Sequence, residues 1–106
     1  MLLPSPIQTY FDANTTLDPD AMVAPFAEGA MVYDENARYD GKDAIRAWID
    51  QSTVAVSAIA IPQAIVSRGN IHSVTAEVSG AFPASPVSLT FRFALDSDRI
   101  TELEIK

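Results

Sequence analysis

Three residues in the first half of the chain have side chains that could perform acid/base chemistry together: Tyr10, Asp34 and Trp48. Tyr10 falls within a helical pattern, Asp34 ends the apolar run Met31-Val32-Tyr33, and Trp48 falls on a third element. A carboxylate in an apolar cavity has a raised pKa and can act as a base beside a phenol. We predict Asp34 as a general base, Tyr10 as a hydrogen-bond donor and Trp48 as a pocket wall.

Each of these residues also has a purely structural explanation. Asp34 could accept backbone N–H groups in the following loop or pair with Arg38, and Tyr10 could be a core tyrosine bonded to a backbone carbonyl. Trp48 could simply pack a helix against the sheet. His72, the only histidine, could enter the pocket from the apolar face of its strand or belong to the turn before it.

Three helices are predicted in the first half of the chain. Ser5 precedes Pro6 and lies three residues before Gln8, which is the pattern of a helix cap, so the first helix should span Pro6–Thr15. Asp18 should cap a second, short helix that ends at Glu28-Gly29. A third helix should begin at Gly41 and present an apolar face.

Strands are predicted between and after these helices. They are Ala30–Asp34, a brief strand at Arg38-Tyr39, and then Val54–Ser67, Ile71–Ser79, Val87–Leu95 and Ile100–Ile105. Strict alternation from Val87 to Leu95 predicts one buried and one polar face. The stretch Val54–Ile61 is apolar on both faces, so either a partner chain covers one face or small alanines point outward. Pro62 indicates a sheet edge or a bulge in the same strand.

Composition limits the classes of function. The chain has 106 residues, a net charge of −7, seven scattered basic residues and no cysteine. We therefore expect a single domain over residues 1–106, no nucleic-acid partner and no thiol chemistry. We also expect no metal site, no cofactor and no membrane partner. The start MLLPSPIQ lacks the features of a signal peptide, so a cytoplasmic location is expected.

Several motifs together resemble the nuclear transport factor 2-like superfamily and, within it, the SnoaL-like proteins. They are Tyr10-Phe11-Asp12-Ala13, Phe26-Ala27-Glu28-Gly29-Ala30, Val32-Tyr33-Asp34, and Gly41-Lys42-Asp43-Ala44-Ile45 leading to Trp48. The resemblance implies an α+β fold in which a cone-shaped, curved antiparallel sheet wraps around three N-terminal helices and a pocket opens at one end. Fold alone does not assign function, because this superfamily includes enzymes, carriers and binding modules.

The resemblance extends without gaps from Tyr10 to Asp34 on the pattern of ketosteroid isomerases. In that pattern the tyrosine donates to a developing oxyanion and the aspartate moves the proton. The second, protonated aspartate of those enzymes is matched here by Leu89, which disfavours steroid isomerisation.

We predict a pocket that binds a small, largely apolar molecule. The alternatives are an isomerase, cyclase or hydrolase that uses Asp34 and Tyr10, or an assembly domain with a filled interior. The predicted ligand-binding residues are Trp48, Phe91, Phe93, Leu89, His72 and Phe11. We also predict a homodimer through the outer face of the sheet, with polar contacts from Ser73, Thr75, Ser88, Thr90 and Arg92.

Overall fold

Three helices and a six-stranded sheet make up the computed structural model, which describes residues 1–106. The helices are α1 (Ser5–Thr15), α2 (Pro19–Val23) and α3 (Gly41–Ile49), and the strands are β1 (Phe26–Asp34), β2 (Ala37–Asp40), β3 (Ile59–Arg68), β4 (Ile71–Ser79), β5 (Val87–Asp96) and β6 (Arg99–Ile105). None of the helices has the length and hydropathy that a membrane span requires.

The sheet has the order β2-β1-β6-β5-β4-β3 and is not closed, because β2 and β3 are free edges. Neighbouring strands are antiparallel except for β1 and β6, which run parallel. The predicted α+β cone fold is thus confirmed, but the sheet is mixed rather than wholly antiparallel. The helical segment between β2 and β3 carries the chain from one edge to the other, and the meander β3 to β6 then returns to β1.

The starts of the first two helices show which capping predictions were right. Asp18 caps α2, since its Oδ1 accepts a hydrogen bond of 3.1 Å from the backbone N–H of Ala21. The cap predicted at Ser5 is wrong, because Ser5 already lies in α1 and the capping position is Pro4, which has no side-chain acceptor. The extended backbone of Pro4 lets the helix begin one residue earlier.

The end predicted for the second helix at Glu28-Gly29 is also wrong. The α2 helix stops at Val23, and β1 already begins at Phe26. Pro25 cannot donate a backbone hydrogen bond, and its carbonyl accepts one of 2.9 Å from the N–H of Ile100. The chain therefore joins the sheet directly after this proline, and residues 26–29 belong to a strand.

The strand predicted over Val54–Ser67 starts five residues later than expected, at Ile59. Residues 50–54 extend α3 as a π-helical turn, and the N–H of Ala55 donates to the carbonyl of Asp50 at 2.9 Å. Ser57, with a φ of 51°, ends this turn and redirects the chain. The predicted bulge near Pro62 is confirmed, since the register of the edge strand β3 shifts between Pro62 and Ala64.

The hydrophobic core lies between the helices and the inner face of the sheet. Alternation along β5 is confirmed, because Phe91 and Phe93 are buried whereas Ser88, Thr90 and Arg92 are exposed on the opposite face. The homodimer expected through this polar outer face stays a prediction.

Candidate functional site

A cavity of about 610 Å³ opens at one end of the molecule, between the helices and the first half of β5. Twelve of its nineteen lining residues are hydrophobic. The lining residues are Tyr10, Asn14, Asp34, Glu35, Trp48, Gln51, Ser52, Thr53, Val56, Ala58, Ala60, Val78, Phe82, Pro83, Ala84, Val87, Leu89, Phe91 and Ile105. A volume of this size is typical of a small-molecule site.

Asp34 is the last residue of β1 and is held at the cavity by a hydrogen bond across to α3. The indole Nε1–H of Trp48 donates to Oδ2 of Asp34 at 3.0 Å. Directly after Asp34, the two turn residues Glu35 and Asn36 have φ values of 51° and 63°, which reverse the chain into β2. The carboxylate is thereby fixed at the end of a paired strand.

The environment of Asp34 raises the pKa of its carboxyl group above the ordinary value of 3.8. Burial is the main cause, because an apolar surrounding disfavours the charged form. The hydrogen bond from Trp48 lowers the pKa in part, the charge of Glu35 raises it, and a backbone hydrogen bond from Glu35 lowers it again. A carboxylate tuned in this direction is a better base than an exposed aspartate.

Tyr10 projects from α1 into the same cavity. Its side chain is only 3% exposed and its ring packs edge-on against those of Phe11, Phe26 and Phe93. Its hydroxyl makes no hydrogen bond within the protein. Every fully buried side-chain polar atom of the structure has a hydrogen-bond partner, so the hydroxyl of Tyr10 is not fully buried and opens to the cavity. Burial, followed by the charge of Asp34, raises the pKa of Tyr10, so the phenol stays neutral and can donate.

Asn14 is a buried polar residue of the lining whose role is structural. Its side-chain N–H donates to the carbonyl of Ala58 at 2.9 Å, and its Oδ1 accepts from the N–H of Ala60 at 2.7 Å. This pair of bonds satisfies two backbone groups at the start of β3 and fastens α1 to the edge of the sheet. Since its oxygen and one of its two amide N–H groups bond to the backbone, the side chain of Asn14 is fixed in the cavity wall.

Two connecting segments, residues 50–58 (which begin with the π-helical turn) and 80–86, form the rim of the cavity and are joined to each other. The N–H of Ala81 donates to the carbonyl of Val56 at 2.7 Å. A Cβ atom on Gly80 would lie 2.6 Å from that same carbonyl oxygen, so only glycine allows this close approach. The hydroxyl of Ser52 also donates to the carbonyl of Trp48 at 2.7 Å, which ties the rim to α3.

The structure brings five of the eight predicted site residues together at the cavity. They are Tyr10, Asp34, Trp48, Leu89 and Phe91. Phe11 and Phe93 are instead buried in the solid core behind Phe91. His72 lies on β4 opposite Phe93, at the other end of the strand, where its Nδ1 is 2.7 Å from the hydroxyl oxygen of Ser67.

The structural alternatives for Asp34 and Tyr10 can now be compared with the observed contacts. Arg38 pairs with Asp40 at 2.8 Å and not with Asp34. The hydroxyl of Tyr10 does not bond to a backbone carbonyl, and Trp48 serves both as a wall and as a donor. No group of three or more His, Asp and Glu side chains converges to hold a metal ion.

Sequence reasoning missed several lining residues, among them Asn14, Thr53, Phe82 and Ile105. Asn14 shares the helical face of Tyr10, since the two are four residues apart, and that spacing was an available signal. Thr53 and Phe82 lie on the rim segments, whose local sequence does not indicate that they face a cavity. Their position depends on the contact between the two segments.

Comparison with known proteins places this architecture among related folds. Residues 7–103 match the SnoaL-like domain family. A crystal structure of a proposed polyketide cyclase from Sinorhizobium meliloti is 42% identical in sequence and superposes with a TM-score of 0.93, covering 98% of this chain and 95% of that one. The comparison with curated proteins gave no match.

More distant structures share the fold. A protein from Catenulispora acidiphila with a ketosteroid isomerase-like fold, solved in complex with trimethylamine, has a TM-score of 0.84 at 18% identity and covers 99% of this chain and 86% of that one. TerC, co-crystallised with polyporic acid, has a TM-score of 0.82 at 9% identity and covers 96% of this chain and 88% of that one.

Proposed function

We propose, given that this chain belongs to the SnoaL-like domain family, that its cavity binds a small, largely apolar molecule with one polar group. The observation that carries this proposal is the cavity of about 610 Å³, whose mostly apolar wall surrounds the carboxylate of Asp34 and the free hydroxyl of Tyr10. Apolar walls supply binding free energy, and a few polar groups fix the orientation of a ligand.

The arrangement suggests how such a ligand would lie. Its apolar body would contact Leu89, Phe91 and Val87, which face the cavity from β5. Its polar group would reach the carboxylate of Asp34, which the indole of Trp48 fixes in place, and the hydroxyl of Tyr10, which has no partner in the protein. The similarity to the Sinorhizobium meliloti protein is compatible with a ligand that has one or more rings.

A pair of matched variants tests whether the cavity is the binding site. Leu89→Trp adds volume inside the cavity, whereas Thr90→Trp adds the same side chain on the exposed outer face of the same strand. We expect Leu89→Trp to abolish the response of the Trp48 indole resonance to a panel of small aromatic compounds and Thr90→Trp to retain it. Equal responses in the two variants would contradict binding in this cavity.

A second candidate function is proton transfer within the bound molecule. It is favoured by one observation: the raised pKa of Asp34, which lies close enough to Tyr10 for its charge to act on the phenol. Asp34 would remove a proton from a carbon beside a carbonyl group, and the O–H of Tyr10 would donate to the resulting enolate oxygen. The protonated Asp34 would return the proton to the same molecule.

Isotope exchange separates this reaction from simple binding. The bicyclic ketone 2-tetralone has an acidic C–H beside its carbonyl group, and NMR in D₂O follows its replacement by deuterium. We expect the wild-type protein to accelerate this exchange and Asp34→Asn to remove the acceleration while keeping the fold. If exchange proceeds at the uncatalysed rate with saturating protein, the proton-transfer function is wrong for carbonyl compounds, and the binding function remains.

A further inference from the structure

The charge of the cavity wall is one-sided. Its lining includes two carboxylates, Asp34 and Glu35, and no lysine, arginine or histidine. Neither carboxylate takes part in an ion pair of the structure. Asp34 has only the neutral indole N–H of Trp48 as a side-chain partner. Inside the cavity, therefore, no side chain of the protein neutralises the charge of Asp34.

Two basic residues near this end of β1 are already engaged with other carboxylates. Arg38 and Lys106 line a neighbouring depression that Asp34 and Glu35 also border, and neither of them lines the cavity. The guanidinium of Arg38 is 2.8 Å from Asp40, and the ammonium of Lys106 is 3.6 Å from Glu104. Neither of them makes an ion pair with Asp34.

The cavity wall also presents aromatic rings beside this carboxylate. Tyr10, Trp48, Phe82 and Phe91 all line it. A cation that is removed from water is attracted to the faces of such rings, most strongly to tryptophan. In addition, the side chain of Tyr10 is only 3% exposed, and its hydroxyl opens into the cavity without a hydrogen-bond partner in the protein.

We infer that the cavity selects a hydrophobic cation: an ammonium group, placed at Asp34 and Trp48, on an apolar body that contacts Phe91 and Leu89. This inference rests on the proposed binding function and not on the proton-transfer candidate. A cationic ligand supplies the counter-charge that the wall lacks, whereas an anionic ligand would bring a second negative charge into a poorly solvated space beside the first.

Three probes of similar size and different charge test the inference. They are phenyltrimethylammonium, its neutral isostere tert-butylbenzene, and the anion benzenesulfonate. Trp48 is the only tryptophan, so its indole N–H gives a single resonance that reports directly on the bond to Asp34. We expect the cation to bind at least about tenfold more tightly than the neutral isostere, and the anion to give no saturable response.

Two variants that remove one negative charge separate a local effect from the overall charge of −7. Asp34→Asn should reduce the affinity for phenyltrimethylammonium about tenfold and leave that for tert-butylbenzene within about twofold. Asp98→Asn lies in the exposed turn before β6, where a φ of 64° suits asparagine, and it should change neither affinity.

The possible failures are distinguishable. Equal or tighter binding of tert-butylbenzene or benzenesulfonate to the wild-type protein would overturn the charge selectivity and leave the apolar binding function in place. Equal loss of affinity in Asp34→Asn and Asp98→Asn would also overturn it, because the effect would then come from net charge. If none of the three probes shifts the Trp48 resonance, both the inference and the binding function are contradicted.

Discussion

The two halves of β5 have the same sequence pattern and different surroundings. Phe93 faces inward in one half of the strand, and Phe91, Leu89 and Val87 face inward in the other. Phe93 is fully buried in a cluster of aromatic rings that includes Phe11, whereas Leu89 and Val87 are half-buried and face the cavity. Alternation predicts which side chains face inward, but it does not predict whether they meet other side chains or an open space.

The difference lies in what covers each half. The closed half packs against large side chains of α1, since the ring of Phe93 contacts the rings of Phe11 and Tyr10. The open half is covered by the rim segments 50–58 and 80–86, which supply small residues such as Ala58 and Ala84. A cavity forms where small residues face a sheet whose own side chains are too short to fill the gap.

The largest effect that tests this comparison is the loss of a phenyl ring from each half. Phe93→Ala should lower the free energy of unfolding by about 3–5 kcal/mol, because it opens a cavity in a packed core. Phe91→Ala should cost at least about 1 kcal/mol less, because one side of its ring already faces a cavity. Urea denaturation measures both, and Phe→Leu at the same positions serves if Phe93→Ala does not fold. Equal costs would show that the cavity is closed up in solution.

The second prediction asks whether the open half depends on the two hydrogen bonds of the Asn14 side chain, called here the polar clamp, instead of on apolar packing. Asn14→Ala leaves the carbonyl of Ala58 and the N–H of Ala60 without their side-chain partner. We expect a loss of about 2–3 kcal/mol in the free energy of unfolding, and early hydrogen exchange at the start of β3. Thr9→Ala, at an exposed position of the same helix, is the control and should change little. A cost for Asn14→Ala no larger than that of the control would show that the clamp is dispensable.

Much of the fold could be predicted from local pattern. The strand Ile71–Ser79 was predicted to the residue, and α3 was correctly started at Gly41. The failures lie where a contact distant in sequence decides the structure. Residues 26–29 were predicted as the end of a helix. No local sequence feature indicates that Pro25 accepts a hydrogen bond from Ile100, seventy-five residues later in the chain.

The strand predicted to begin at Val54 was wrong there for a related reason. Its alternating valines and alanines suit a strand, yet residues 50–54 remain helical. The rim is held by Gly80 and Ala81 against Val56, and the start of β3 is held by Asn14. Local propensity is weak enough for such tertiary contacts to override it.

The site was predictable as far as it depends on chemical type and spacing. A resemblance that extends from Tyr10 to Trp48 identified three residues that line one cavity. Phe11 and Phe93 were included because they are apolar and share the correct face, but facing inward does not distinguish a cavity wall from a core. His72 shares the inward parity of β4, but it lies opposite Phe93, beyond the reach of the cavity.

A smaller effect distinguishes the partly buried carboxylate of Asp34 from exposed carboxylates on the surface. Since burial raises the pKa of Asp34, the folded protein holds this proton more tightly than the unfolded chain does. Its contribution to stability is therefore most favourable at low pH and is lost as the pH rises through the folded pKa. Asp34→Asn, which can still accept from Trp48, should be more stable than wild type near neutrality, with the difference vanishing below about pH 4.

Thermal unfolding between about pH 3 and pH 7 measures this difference. Asp98→Asn removes one negative charge from an exposed turn and is the control for the loss of a charge as such. A neutral-pH stability of Asp34→Asn below that of wild type would mean that the ionised carboxylate stabilises the fold.

The smallest effect concerns the hydrogen bond that joins Trp48 of α3 to Asp34 of β1 at the cavity. Because the indole N–H of Trp48 donates to the charged form of Asp34, it lowers the pKa of that carboxyl group and partly offsets the effect of burial. Trp48→Phe removes the donor and keeps an aromatic wall, so the pKa of Asp34 should rise further above 3.8. A carboxyl ¹³C NMR titration of the wild type and the variant measures both values. A lower pKa of Asp34 in Trp48→Phe would mean that water reaches the carboxylate once the indole is removed. Trp48 would then act mainly by excluding water and not by stabilising the ionised form.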